Sequence, residues 1–329
     1  MCIRDRFYIL LFGLFFSSIS FGQSPNKYSE YVKEAEQLYE SKEFNKSAAK
    51  YKEAFDEIEG KAYPNDRYNA ACSYALAEDI DNSFYHLFRL AEHPKVKYKN
   101  YEHISTDTDL NILHKNKRWE ALLKIVKSNK EEAEKNYDKP LIAILDAIYK
   151  EDQSYRVQLD EIEEKYGRDS KEVKAHWQLI TETDSINLIK IKEILDERGW
   201  LGPDIVGQQG NTTLFLVIQH SDLETQVKYL PMMKAAVKEG NARPSSLALL
   251  EDRVGLGQGK RQVYGSQIGI DQETGEYYVL PLIDPENVDK RRAEVGLGSI
   301  SQYVGNWDMT WDVEKHKERT KILEAKKEE

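Results

Sequence analysis

Thr212–His220 reads TTLFLVIQH, and how this stretch is read decides the fold of the second half of the chain. Leu214 to Ile218 follow one another with no polar break. A helix carrying them is apolar on nearly all sides, so it must lie centrally and pack on several neighbours. It ends on Gln219 and His220, and Asp222 begins the next helix, DLETQVKYLPMMKAAVKEG. An imidazolium is favoured at a helix C-terminus by the helix dipole. An amide and an imidazole at the end of a greasy helix form either a capping device or the edge of a site.

The two segments before it are long helices with acids on the wrong face. In LIAILDAIYKEDQSYRVQLDEIEEKYG the apolar stripe runs Leu141, Ile144, Leu145, Ile148, then Asp152, then Tyr155, Leu159 and Ile162. Arg156 is one turn beyond Asp152 and can reach it. In KEVKAHWQLITETDSINLIKIKEILDERGW the stripe is Val173, Trp177, Ile180, Leu188, Ile191 and Leu195, interrupted by Asp184 with Asn187 beside it. An ionised carboxylate in a core costs several kcal/mol unless it is paired or liganded. One reading is a structural Asp152–Arg156 pair with Asp184 bonded to nearby backbone. The other is a site.

After the central helix, SSLALLEDRVGLGQG brings Asp252 and Arg253 to the end of an apolar run, which glycines 255, 257 and 259 then break. RQVYGSQIGIDQETGEYYVLPLI alternates with period two around Gln-Glu-Thr-Gly, which predicts a β-hairpin near residues 262–282 carrying Gln262, Tyr264 and Gln267. ENVDKRRAEVGLGSISQYV predicts a helix with Arg291 and Arg292. Residues 311–329 form a charged tail with almost no apolar face, expected to be solvated and frayed.

The front half, residues 27–135, has helical periodicity in pairs. Ala35, Leu38, Phe44, Ser47, Tyr51 and Ala54 fall at spacings that resemble a tetratricopeptide repeat, and Ala71, Tyr74, Ile80, Ser83, Leu87 and Leu90 form a weaker second copy. DTDLNILHKNKRWEALL resembles the closing element of a short array, sealed by Trp119, Leu122 and Leu123. Such arrays present a groove to a protein or peptide partner, or act as a spacer. Cys72 lies within an apolar helix and reads as a packed, inert thiol.

Residues 1–22 have the pattern of a signal peptide: Arg4 and Arg6, the apolar run FYILLFGLFFSSISFG, and small residues at Ser20 and Gly22. They predict export to the periplasm or beyond, with no membrane span once the leader is removed. Cys2 leaves with it, so the mature chain has one thiol and no internal disulfide. The net charge of −10, from 47 basic and 57 acidic residues, argues against nucleic acid or an anionic membrane as partner.

The motifs of the second half follow one another in a specific order. Asp152-Gln153-x-x-Arg156, Asp184-x-x-Asn187, Gly199-Trp200, Val206-Gly207, Gln219-His220-x-Asp222, Tyr229-Leu230-Pro231, Asp252-Arg253-Val254 and Gln262-x-Tyr264-Gly265-Ser266-Gln267 resemble the bacterial family called domain of unknown function 6624, over roughly residues 140–305. Leu201 stands where that family commonly has Pro, and Ser221 and Ser266 stand where it commonly has Ala and Thr. The resemblance implies no activity.

Two functions fit the polar set. The first is binding of a small polar or anionic ligand by Arg156, Asn187, Gln219, Asp252, Arg253, Gln262, Tyr264, Gln267 and Arg291, with arginine for bidentate grip and amides for orientation. The second is hydrolase-type chemistry with His220 as general base and Asp152 or Asp184 orienting it. Binding ranks first because no activated nucleophile is evident. A metal ranks below both: there is no His-x-x-x-His and no cysteine pair, and His220 with two acids is a minimal ligand set. No cofactor is indicated, since no Gly-rich phosphate loop follows a strand and no Gly-x-Ser-x-Gly occurs. The fold class expected is mainly α: a short helical array, then a helical domain at 138–310 with one hairpin.

Overall fold

The computed structural model describes residues 27–271 and 273–328, so the leader expected at 1–22 lies outside the described residues. The protein is mostly helical and divides into two compact units that meet in sequence at Asn136 and Tyr137.

In the first unit, α1 (Lys27–Glu40) pairs with α2 (Phe44–Asp56), and α3 (Pro64–Leu76) pairs with α4 (Ile80–Ala91). Both pairs make the same contact. Ser47 Oγ donates to Ala35 O at 2.8 Å, and Ser83 Oγ donates to Ala71 O at 2.8 Å. All four residues are buried, so the small side chains let the helix backbones approach closely enough to be bridged by one hydroxyl. The array closes on α5 (Tyr101–Thr106), a 3-10 turn at Thr108–Leu113 and α6 (Lys117–Glu134). Asp107 holds this closure: it caps the turn by accepting from Asp109 N at 3.0 Å and receives the Tyr68 hydroxyl at 2.9 Å. Leu110, Leu113, Trp119 and Leu122 then fill one core with Cys72. Burial pushes the Cys72 thiol far above its ordinary range, in keeping with a packing role.

One buried base makes this unit sensitive to acid. His86 Nδ1 faces Arg67 Nη1 at 3.1 Å, and its ring stacks on Tyr74. Burial first, then the Arg67 and Arg89 guanidinium groups, lower its pKa from 6.5 to about 4. The folded value is depressed, so this contribution is complete above the unfolded value near pH 6.5 and is lost as pH falls through about 4. The shift corresponds to about 3 kcal/mol. Urea midpoints of the wild type should therefore fall more steeply between pH 6.5 and 4 than those of His86→Gln, which keeps an acceptor for Arg67 but does not titrate. Parallel curves would refute this assignment.

The second unit begins with α7 (Lys139–Tyr166) and α8 (Lys171–Arg198), a long antiparallel pair, with α9 (Pro203–His220) packed against both. The central position of the TTLFLVIQH helix is met: Leu214, Phe215, Leu216, Val217 and Ile218 are all buried. They share a core with Leu141, Leu145 and Ile148 of α7 and with Ile191 and Leu195 of α8. Gly207 bends α9 with φ of 69°, a conformation that a side chain disfavours. Asp222 caps α10 (Leu223–Glu239) by accepting from Thr225 N at 2.7 Å, and α11 (Pro244–Gly257) completes the bundle.

The hairpin is real but short: β1 (Ile268–Ile270) pairs antiparallel with β2 (Tyr277–Val279), Gly269 opposite Tyr278. Across the wider span expected from 262, residues 262–267 and 280–283 are joined by a parallel bridge from Gln262 to Leu282 and by the bond from Leu280 N to Gln267 O. The helix expected around Arg291 is broken into α12 (Val288–Glu294) and α13 (Ile300–Val304), because Gly296 takes a φ of 76° between them.

The tail departs from expectation. It forms α14 (Val313–Glu328), and His316 and Thr320 on it are buried. Most of its charges face solvent, but three also find non-local partners: Arg319 pairs with Asp271 at 2.9 Å, Glu324 with Arg261 at 2.6 Å, and Lys317 with Glu286.

Candidate functional site

The two misplaced acids meet. Asp152 on α7 accepts from Gln153 Nε2 at 2.6 Å and lies 3.0 Å from His220 Nδ1 at the end of α9. Arg156, one turn on, donates through Nη1 to the Asp152 carbonyl at 2.7 Å. Its Nη2 reaches across to α8 and bonds both Asp184 oxygens, at 2.9 and 2.7 Å. Arg156 Nη1 is 3.4 Å from Asp152 Oδ1. Side-chain exposure is 1% for Asp152, 2% for His220, 8% for Arg156 and 20% for Asp184. Three helices thus bring two acids, one guanidinium and one imidazole into one buried cluster.

Its electrostatics are self-compensating. Burial alone would raise the Asp152 carboxyl, but His220, Arg156 and the Gln153 amide outweigh it and hold the group below the usual carboxylate range. The Asp152 carboxylate can only accept, so Nδ1 carries the hydrogen in this contact and the ring is oriented by the acid, the arrangement that general bases use.

Two buried amides are carried by the same helices as the cluster. Asn187 lies one turn beyond Asp184 on the same face of α8, and Gln219 directly precedes His220. Both are 0% exposed, and neither amide has a hydrogen-bond partner for its oxygen or its nitrogen among the described residues. The Gln219 backbone, by contrast, is tied down by Gln226 Nε2 at 3.1 Å.

The remaining candidates gather around a loop. Asp252, fully buried on α11, accepts from the backbone N–H groups of Val263 at 2.6 Å, Tyr264 at 3.0 Å and Ser266 at 3.0 Å. Gln262 donates to Gln267 O and Leu280 O and accepts from Gln267 N at 2.9 Å. The Gln267 side chain bonds Ser266 Oγ. Arg291 grips three carbonyls, those of Val263, Ile283 and Asp284, while Arg292 donates to Tyr264 O at 2.7 Å. Arg253 is buried beside Asp252. These bonds fold residues 262–267 onto α11. The end of α11 lies against the start of α10, where a Cβ on Gly257 would come within 2.6 Å of Leu223 Cδ1.

Gln153 was absent from the candidate set, although it sits inside the Asp-Gln-x-x-Arg motif; only the geometry reveals that its amide braces Asp152. A second grouping of Cys72, Asp107 and Asp109 occurs in the first unit, but its acids already accept from the Tyr39 and Tyr68 hydroxyls.

The second unit is therefore an all-helical core with a buried Asp–Arg–Asp–His cluster and a clamped loop bearing one hairpin. Residues 139–314, more than half of the chain, match the profile described as Family of unknown function (DUF6624), and the protein belongs to that family. Searches of curated proteins and of solved structures gave no match.

Proposed function

We propose that this is an exported binding protein whose second unit takes a small polar ligand at Asn187 and Gln219, beside the Asp152–His220 pair, while the repeat unit contacts a protein partner. The observation that carries the reading is the pair of fully buried amides whose four polar atoms lack partners among the described residues. Each buried, unsatisfied group costs about 1–3 kcal/mol, a large fraction of a net stability of about 5–15 kcal/mol. Such a cost is retained where something else fills the bonds. A ligand offering both donors and acceptors does so. The leader-like residues 1–22 support export, and no helix among the described residues is long and apolar enough to cross a membrane. Tyr63 and Tyr85 are exposed aromatics of the repeat unit that a partner would cover.

The test uses Asn187→Leu and Gln219→Met, which keep volume and remove the amides. Their unfolding midpoints should be unchanged or raised, by up to about 1–2 kcal/mol per site. Thermal shifts of the wild type against amino acids, sugars, carboxylates and nucleosides should find a stabilising ligand that neither variant responds to. A clear loss of stability in both variants, with no responding ligand, would sink the reading and make the amides water-bonded structural groups.

A second reading rests on the 3.0 Å contact between His220 Nδ1 and Asp152. It makes His220 a general base oriented by Asp152, in hydrolase-type chemistry. Turnover that follows one basic group and vanishes in His220→Gln would favour it over simple binding.

A further inference from the structure

We propose that Asp152, Asp184 and His220 form a site for one divalent metal ion, and that Arg156 is the cation standing in for it in the metal-free chain. One ligand atom from each of the three residues lies within 4.8 Å of the others. Ligands at about 2.0–2.2 Å from a shared ion stand up to roughly 4.4 Å apart, so a small inward movement closes the set. Charge names the occupant. Asp152 and Asp184 are two acids, and Arg156 is the one guanidinium set between them. Its Nη2 alone bonds both Asp184 oxygens, and its Nη1 stays 3.4 Å from Asp152 Oδ1, longer than a good hydrogen bond. A divalent ion balances both acids at once, with Arg156 swung out along the surface of α7.

Taken alone, the cluster is equally a plain ion-pair network. Asn187 and Gln219 point beyond it. Each is the near neighbour of one ligand, Asn187 one turn from Asp184 and Gln219 adjoining His220, and each is fully buried with an amide oxygen that accepts nothing among the described residues. Two carboxylates, one imidazole and neutral amide oxygens make an oxygen-rich set suited to Mn2+ or Fe2+. For the amides, this inference rests on the ligand reading above, and it adds the ion through which a polar ligand is held.

The experiment is calorimetric titration of the chelator-treated full chain with Mn2+. One equivalent should bind saturably. Arg156→Met should bind at least tenfold more tightly, because the competing cation is gone, and any stability it loses in chelator should return with Mn2+. Asp184→Asn should bind at least tenfold more weakly; Asp184 is the partly exposed member, so this variant disturbs the fold less than His220→Ala does. Absence of saturable binding to both wild type and Arg156→Met overturns the proposal, as does binding that Asp184→Asn leaves unchanged. Binding that survives Asn187→Leu and Gln219→Met supports the three-residue site and counts against the amide reading alone. A polar metabolite that binds the chelated chain, where Mn2+ does not bind at all, overturns the metal site alone.

Discussion

Asp252→Ala should lower the unfolding free energy by about 3–5 kcal/mol, through three buried N–H groups left without an acceptor. The carboxylate is fully buried and receives Val263, Tyr264 and Ser266. Burial pushes this carboxyl above the ordinary range even with three donors opposing the shift, so the group is costly to keep and is repaid only by the bonds it makes. Asp252→Asn should cost about half as much, since one oxygen remains an acceptor while the amide nitrogen faces a donor. Urea unfolding of the full chain reads both values. Near-ultraviolet dichroism should change as well, because Tyr264 is carried on the released loop. A loss below about 1 kcal/mol would mean that Gln262, Arg291 and Arg292 hold the loop unaided. Asp252 would then be available to a ligand, as its position at the end of an apolar run first suggested.

That ambiguity marks where sequence reasoning stops. An acid at the end of an apolar helix looks the same whether it anchors a loop or faces a ligand, because its partners are 11 to 14 residues away and are backbone groups without a side-chain signature. Local features were legible. The burial of Leu214 to Ile218 followed from an unbroken apolar run, and the Asp152–Arg156 proximity followed from helical spacing. The contact of Arg156 Nη2 with both Asp184 oxygens, 28 residues apart, needed the register of α7 against α8. The Asp152–His220 contact spans 68 residues and needed α9 to end level with the middle of α7. Ile144 illustrates the same limit: it fits the stripe of α7 by spacing, yet it is exposed, because the core side of a 28-residue helix depends on what crosses it. The tail shows the same limit: composition predicted solvation, which most of its charges have, but could not show that Arg319, Lys317 and Glu324 pair with residues far earlier in the chain.

Asp152→Ala should be the most damaging single change in the charged cluster, at about 3–5 kcal/mol, because removing one partner leaves buried charge uncompensated. Arg156 would keep Asp184 and the backbone carbonyl at position 152 but lose its second acid, and the His220 Nδ1–H would lose its acceptor. Asp184→Ala should cost less, about 1–2 kcal/mol: its side chain is 20% exposed, and Arg156 retains the Asp152 carbonyl. His220→Ala should fall between them, since Arg156 and Gln153 remain on Asp152. The informative comparison is the double variant Asp152→Leu with Arg156→Met. Replacing a buried pair by apolar residues of similar size is often neutral or stabilising, so this chain should recover most of what Asp152→Ala loses. Recovery of stability together with loss of ligand or Mn2+ binding would mean that the cluster is kept for what it binds. If the double variant is instead as unstable as Asp152→Ala, the acids and the guanidinium specify how α7, α8 and α9 pack. In that case the buried amides alone would carry the binding hypothesis, and Asn187→Leu would be the variant to follow.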